Sequence, residues 1–243
     1  MIDVQRAMLC FFVLYLDARG GITLGAIHDL VRELGLASPG RATAMLVSLR
    51  VMGYVTPDPI QPDRRSRRYI PTALTRAAVG KSFRYRGLAF ALIEPEAMRI
   101  AERFDNAAVF KAYVLQLGEG ISDVLKRGNS SGTLDHFGRA NAGLGILFYL
   151  SIAIETGDVF PPRRPIPVSI NALATEFKVS RAHVRKLLRG AEEKGLITRD
   201  ADASTVTLSE QMRESIIEYQ AANFFAYASC ACAALRAVGE APR

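Results

Sequence analysis

The sequence predicts a mainly α-helical chain carrying small β-hairpins, and three observations lead there. A block starting at Thr23, TLGAIHDLVRELGLASPGRATAMLVSLRVMGYV, recurs in altered form from Ser169 as SINALATEFKVSRAHVRKLLRGAEEKGLI. Within each block apolar residues repeat at i, i+3, i+4, i+7, the spacing of one buried helix face. After each block come two short β-prone runs separated by a turn.

Taken in order, residues 4–17 are apolar almost throughout and are expected as a helix packed on those that follow. Their core, AMLCFFVLYL at 7–16, could serve a signal peptide. The preceding MIDVQR, however, has no net positive charge, and no clean small-x-small cleavage site follows. Thr23 suits an N-cap, and Ile27, Leu30, Val31 and Leu34 share one face. The turn GLAS ends at Ser38, which caps a second helix whose first residue is Pro39, a favoured opening position. Ala42, Met45, Leu46, Leu49 and Met52 form its inner stripe, and Gly53 stops it. YVTPD then leaves as a strand, PIQPDRRSRR is a turn-rich excursion, and RYIPT returns.

Residues 72–127 are expected as helices broken near Pro95 and around Gly118 and Gly120, with GNSSGT at 128–133 as a linker. AGLGILFYLSIAI at 142–154, within a helix expected over 141–156, falls short of the roughly 20 apolar residues a bilayer crossing needs. In the second block Ser169 caps a helix burying Ile170, Leu173, Ala174 and Phe177. Ser180 caps the next, with Val184, Leu187, Leu188 and Ala191 inward and Gly195 as stop. Ser38 to Ser180 and Gly53 to Gly195 span the same 142 positions, so the two longer helices align without a gap. LITRD, ADAS and TVTLS repeat the strand, loop and strand in shorter form, with Asp200 and Asp202 making the loop acidic. A last helix over about 209–238 is apolar nearly all round, so it should be buried on helices of the first half, a partner chain, or both.

Each block is therefore a helix-turn-helix followed by a strand–loop–strand wing. The expected fold class is mainly α with small β-wings: tandem winged helix-turn-helix domains joined by a helical scaffold. The expected divisions are an N-terminal winged helix (1–80), a helical scaffold and linker (81–135), a C-terminal winged helix (136–210) and a packing or oligomerisation helix (211–243).

Lys and Arg number 31 against 24 Asp and Glu, a net charge of +7 that favours an anionic partner. A helix-turn-helix offers the outer face at the start of its second helix to the major groove of duplex DNA. Gly40, Arg41, Thr43, Ala44 and Val47 are outward in the first block, with Arg41 and Thr43 the expected contacts; Arg181, His183, Arg185, Lys186 and Arg189 are outward in the second. Ser38 and Ser180, at the helix starts, join the expected DNA-contacting set. Arginine can grip a guanine edge bidentately, and lysine neutralises phosphate. In the first wing, Arg64, Arg65, Arg67 and Arg68 suit the negative potential of a narrow minor groove.

GYV at 53–55, DRR at 63–65 and LTRAAVG at 74–80 resemble the MarR family of winged-helix transcriptional regulators. The likeness covers about residues 20–80 and, more loosely, 165–215. It implies that Asp63 braces the wing while one of Arg64, Arg65, Arg67 or Arg68 reaches the minor groove, and that a small-molecule effector binds between scaffold and winged helix. Members of that family usually carry one winged helix per chain and dimerise. Two here look like a fused pseudo-dimer with diverged halves, and an apolar C-terminal helix available for a homodimer.

The expected function is sequence-specific regulation of transcription on an asymmetric or imperfectly palindromic site, its half-sites spaced by about one helical turn, ~34 Å. The alternatives are a plasmid-type replication initiator, which also carries tandem winged helices, and a chromosome-segregation protein that contacts other proteins. His28, His136 and His183 lack metal-ligand spacing, and His28 and His136 are expected to be structural or solvated. P-loop, G-x-S-x-G and H-E-x-x-H patterns are missing, so neither an enzyme, a metal nor a cofactor is expected. Cys10, Cys230 and Cys232 are an odd set in apolar sequence, expected as buried reduced thiols in a cytoplasmic protein without a membrane partner. Phe11, Phe12, Tyr15, Phe83, Tyr85, Phe90 and Phe104 are expected as core aromatics, not pocket lining.

Overall fold

The computed structural model describes residues 4–34, 38–60, 67–93, 99, 102–126, 132–138 and 140–239. Ten helices dominate these residues, accompanied by two small antiparallel sheets. The chain divides into one unit of Gln5–Asn129 with Phe224–Arg243, and another of Ser130–Asn223 with Met1–Val4.

The first unit contains α1 (Val4–Arg19), β1 (Ile22–Thr23), α2 (Leu24–Glu33), α3 (Pro39–Val51), β2 (Val55–Pro57), β3 (Arg68–Pro71), α4 (Ala73–Phe90) and α5 (Ala107–Lys126). The middle of helix α1 is apolar, and every residue from Cys10 to Leu16 is buried. The inner stripes of α2 and α3 (Ile27, Leu30, Val31, Ala42, Leu46 and Leu49) join it in one core. Phe83 and Phe104 each meet Tyr113 edge to face there, both centred 5.2 Å from it. Of the expected core aromatics only Tyr85 is exposed, at 63%.

The expected break at Gly118 and Gly120 is corrected: α5 runs through both. Gly118 is there for closeness, since a Cβ on it would lie 2.2 Å from Cδ2 of the Tyr15 ring. Pro95, the other expected break, falls outside the described residues, as do residues 128–131 of the expected linker.

The second unit contains α6 (Gly132–Gly138), α7 (Gly143–Ser151), β4 (Ile166–Pro167), α8 (Ile170–Glu176), α9 (Arg181–Glu193), β5 (Ile197–Arg199) and β6 (Thr205–Leu208). Its last helix, α10 (Glu210–Ala237), contributes residues 210–223 here and the rest to the first unit. Phe137, Ile146, Leu147, Leu150, Leu188, Met212 and Ile216 form this unit's core. Helix α7 is shorter than the expected 141–156, ending at Ser151; Ile152, Ile154 and Val159 beyond it are exposed. Helix α10 is also less covered than its composition suggests, with Phe225 76% exposed.

Capping agrees with the sequence expectation at all four sites. The side chains of Thr23, Ser38, Ser169 and Ser180 accept hydrogen bonds from the amides of Ala26, Arg41, Ala172 and His183 at 3.0, 3.3, 3.2 and 3.1 Å. Both stops have the same geometry: Gly53 and Gly195 take φ of +77° and +67°, which glycine reaches without a Cβ clash. The following amides, of Tyr54 and Leu196, bond back to the carbonyls of Leu49 and Ala191 at 2.8 and 2.9 Å.

The sheets match as well. Their orders are β1-β3-β2 and β4-β6-β5. Val55 faces Pro71 where Ile197 faces Leu208, and Ile22 faces Tyr69 where Ile166 faces Val206. The two-residue strands β1 and β4 were not anticipated, because two residues carry no alternation to read. The internal repeat thus extends to backbone register.

Candidate nucleic-acid interface

Helix α9 turns Val184, Leu187, Leu188 and Ala191 into the core and leaves Arg181, Ala182, Arg185, Lys186 and Arg189 exposed. Arg181, Arg185, Lys186 and Arg189 form no ion pair with any described residue. The other described arginines of this unit behave differently. Arg163 pairs with Glu210 at 3.4 Å, and Arg164 with Glu155 and Asp158 at 2.8 and 2.9 Å. Arg199 pairs with Glu192, and Arg213 with Glu210. Arg213 is buried and also donates to the Pro161 carbonyl at 3.0 Å. Among the described residues of this unit, the guanidinium groups without an ion pair therefore lie on one side of α9.

Two carboxylates on and after α9 are engaged within the unit. Hydrogen bonds from Arg199 hold the Glu192 carboxyl below its ordinary range and tie the end of α9 to β5. Asp200 accepts from the Ser204 hydroxyl at 2.6 Å and the Thr205 amide at 2.9 Å, which lowers its carboxyl and closes the short second loop.

His183 was expected to face outward as a DNA contact, and its placement differs. It is half-buried, and its Nε2 donates to the Asn141 carbonyl at 2.8 Å, which uses that nitrogen inside the unit. Nearby, His136 donates from Nε2 to the Leu187 carbonyl at 2.9 Å. The ring occupies the space beside Gly190, where a Cβ would come within 2.8 Å of its Cε1. His136, His183, Lys186, Arg189 and Glu193 border a depression of about 430 Å³ alongside α9. His136 lies 51 residues from Leu187, so no local pattern pointed to its part in this wall.

The first repeat places the same backbone under different chemistry. Thr43 matches Arg185, but its hydroxyl donates to the Pro39 carbonyl at 3.0 Å and meets His28 Nε2 at 2.8 Å. It therefore serves the α2–α3 contact before any ligand. Gly40 and Arg41 are exposed, as expected. Ala44 and Val47 stand where α9 has Lys186 and Arg189. Val47 is 55% exposed, and Val51, not anticipated, is 82% exposed on the next turn.

Of the residues expected in the first wing, Asp63, Arg64 and Arg65 lie outside the described residues. Arg67 is exposed. Arg68 is corrected: it is a bracing residue of β3, not a tip residue. It pairs across the sheet with Thr23, its Nε lies 3.8 Å from Asp58, and its guanidinium occupies the space a Cβ on Gly21 would fill. Burial at the C-terminal end of α1 raises the Asp17 carboxyl, with Arg76, Arg68 and Lys111 partly compensating.

Cys10 is buried, Cys230 and Cys232 are half-buried, and all three are free; burial pushes the Cys230 thiol up to about 11. Among the described residues no three His, Cys, Asp or Glu side chains gather as metal ligands would, and no helix is long and apolar enough to cross a membrane. Compared with known proteins, the chain finds no matching family model, curated protein or solved structure.

Proposed function

We propose that this chain regulates transcription by binding duplex DNA through two winged helix-turn-helix units carried in tandem, each with α3 or α9 as recognition helix. The observation that carries it is the basic face of α9: Arg181, Arg185, Lys186 and Arg189 form no ion pair among the described residues, Arg189 acting on Glu192 only through its charge, whereas the neighbouring arginines are paired. These four basic side chains outnumber Glu193, the exposed carboxylate of the same helix, and such an excess on a capped, exposed helix suits a polyanion with a groove wide enough to admit that helix. The matching caps, glycine stops and sheet registers support two copies of one module, and the MarR-like wing supplies Arg64, Arg65 and Arg67 for the minor groove, with Asp63 as brace. A chromosomal ligand also implies a cytoplasmic protein.

The test is binding of the full chain to a duplex from the region upstream of its own gene, followed as salt rises. Affinity should fall steeply between about 50 and 200 mM. Absence of binding at the lower concentration refutes the proposal.

A further inference from the structure

We infer that the two recognition helices read different bases: α9 takes a guanine-containing half-site, and α3 takes a thymine-rich one through the 5-methyl groups of thymine. The inference rests on the DNA-binding reading and adds the sequence class each unit selects. Because the caps Ser38 and Ser180, the stops Gly53 and Gly195 and the strand residues Val55 and Ile197 are each 142 residues apart, positions 44 and 47 occupy the helical places of 186 and 189. A groove that receives Lys186 and Arg189 from one unit would receive Ala44 and Val47 from the other.

The chemistry of those side chains then selects the base. Arg185 and Arg189 are exposed and form no ion pair among the described residues, Arg189 acting on Glu192 only through its charge, so both guanidinium groups are able to take the O6 and N7 acceptors of guanine. On α3 the residue matching Arg185 is Thr43, whose hydroxyl is already bound to Pro39 and His28. Beside Arg41 at its first turn, α3 offers Gly40, Ala44 and Val47, with Val47 55% exposed to water in the free chain. In the major groove the apolar group available is the thymine methyl, and a small apolar side chain fits against it. Gly40, having nothing within 4 Å of a built Cβ, keeps the start of the helix slim for close approach.

The experiment uses the full chain and a random-sequence duplex pool, enriched for binding and read by sequencing. Enriched duplexes should contain a thymine-rich half and a guanine-containing half. Deoxyuridine, which lacks only the methyl group, is then substituted throughout the thymine-rich half of one enriched duplex. Affinity should drop about fourfold per contacted methyl, the effect of exposing one such group. Val47→Ser should erase the thymine-over-uracil preference and keep the guanine preference, while Arg189→Gln should do the reverse. Equal binding of thymine and uracil duplexes overturns the inference and leaves the DNA-binding reading intact. A dimer in light scattering that Val47→Ser dissociates also overturns it, by giving the α3 face to a second copy of the chain. If no duplex is enriched and none binds at low salt, the underlying reading fails with it.

Discussion

Replacing Arg185, Lys186 and Arg189 together with glutamine removes three charges from α9 and, among the described residues, breaks no ion pair. All three are exposed, so the change in folding stability should stay within about 0.5 kcal/mol. Binding should respond far more. Each phosphate neutralised contributes about 0.9 to the slope of log affinity against log salt, so three contacts account for about 2.7. Between about 50 and 200 mM salt, a fourfold change, wild type should therefore lose about 40-fold more affinity than the triple variant. If Arg185 and Arg189 contact guanine edges instead of phosphates, Lys186 alone remains, the slope change falls to about 0.9 and selectivity is lost alongside it. Fluorescence anisotropy with a labelled duplex, repeated over a salt series, reads both quantities, and circular dichroism confirms that the variant is folded. A folded variant with the wild-type slope would refute the assignment of α9 to DNA.

Ser180→Ala should lower stability by about 1 kcal/mol through loss of the bond to the His183 amide, seen as a lower denaturation midpoint. Ser180→Asp should keep the cap, yet its carboxylate at the start of α9 should weaken duplex binding in the same anisotropy assay. Gly118→Ala should cost about 1–3 kcal/mol, because its Cβ would enter the Tyr15 ring space, whereas Gly40→Ala, with open space and a helical backbone, should gain up to about 1 kcal/mol; thermal melts give both signs. Asp158, Glu192 and Asp200 have lowered carboxyls, held down by the Glu155 amide, by Arg199 and by Ser204 respectively. The unfolded chain therefore takes up protons first as pH falls. Their stabilisation is complete above the ordinary carboxylate range and lost on acidification through it and below. Asp158→Asn with Asp200→Asn should flatten the dependence of melting temperature on pH in the acid range.

Features decided within a few residues were legible in the sequence. A serine or threonine before an apolar stripe caps a helix wherever that helix sits, and a glycine after the stripe closes it, so all four caps and both stops were read correctly. Inner faces followed for the same reason, as Val184, Leu187, Leu188 and Ala191 show. The glycines of α5 were misread because one residue type serves two ends. Gly118 looks like a breaker locally, and only the Tyr15 ring lying against it shows that it permits close packing.

The candidate site was legible as a helix face but not as a set of available groups. Basic residues at outward spacing mark α9 from the sequence alone, whereas their freedom depends on where carboxylates lie in space. Arg199 and Arg189 are indistinguishable on paper, yet Glu192 is bonded to the first and feels the second only through its charge. His183, Thr43 and Arg68 were each expected outside and are engaged inside, by Asn141, by Pro39 and His28, and by Asp58. By itself, then, the sequence determined the repeated module, its caps, its inner faces and its excess of positive charge, because short-range sterics and hydrophobic spacing act along the chain. The tertiary structure decided which charges and hydroxyls remain for a ligand, because pairing depends on distance through space, and distance is set only once the chain has folded.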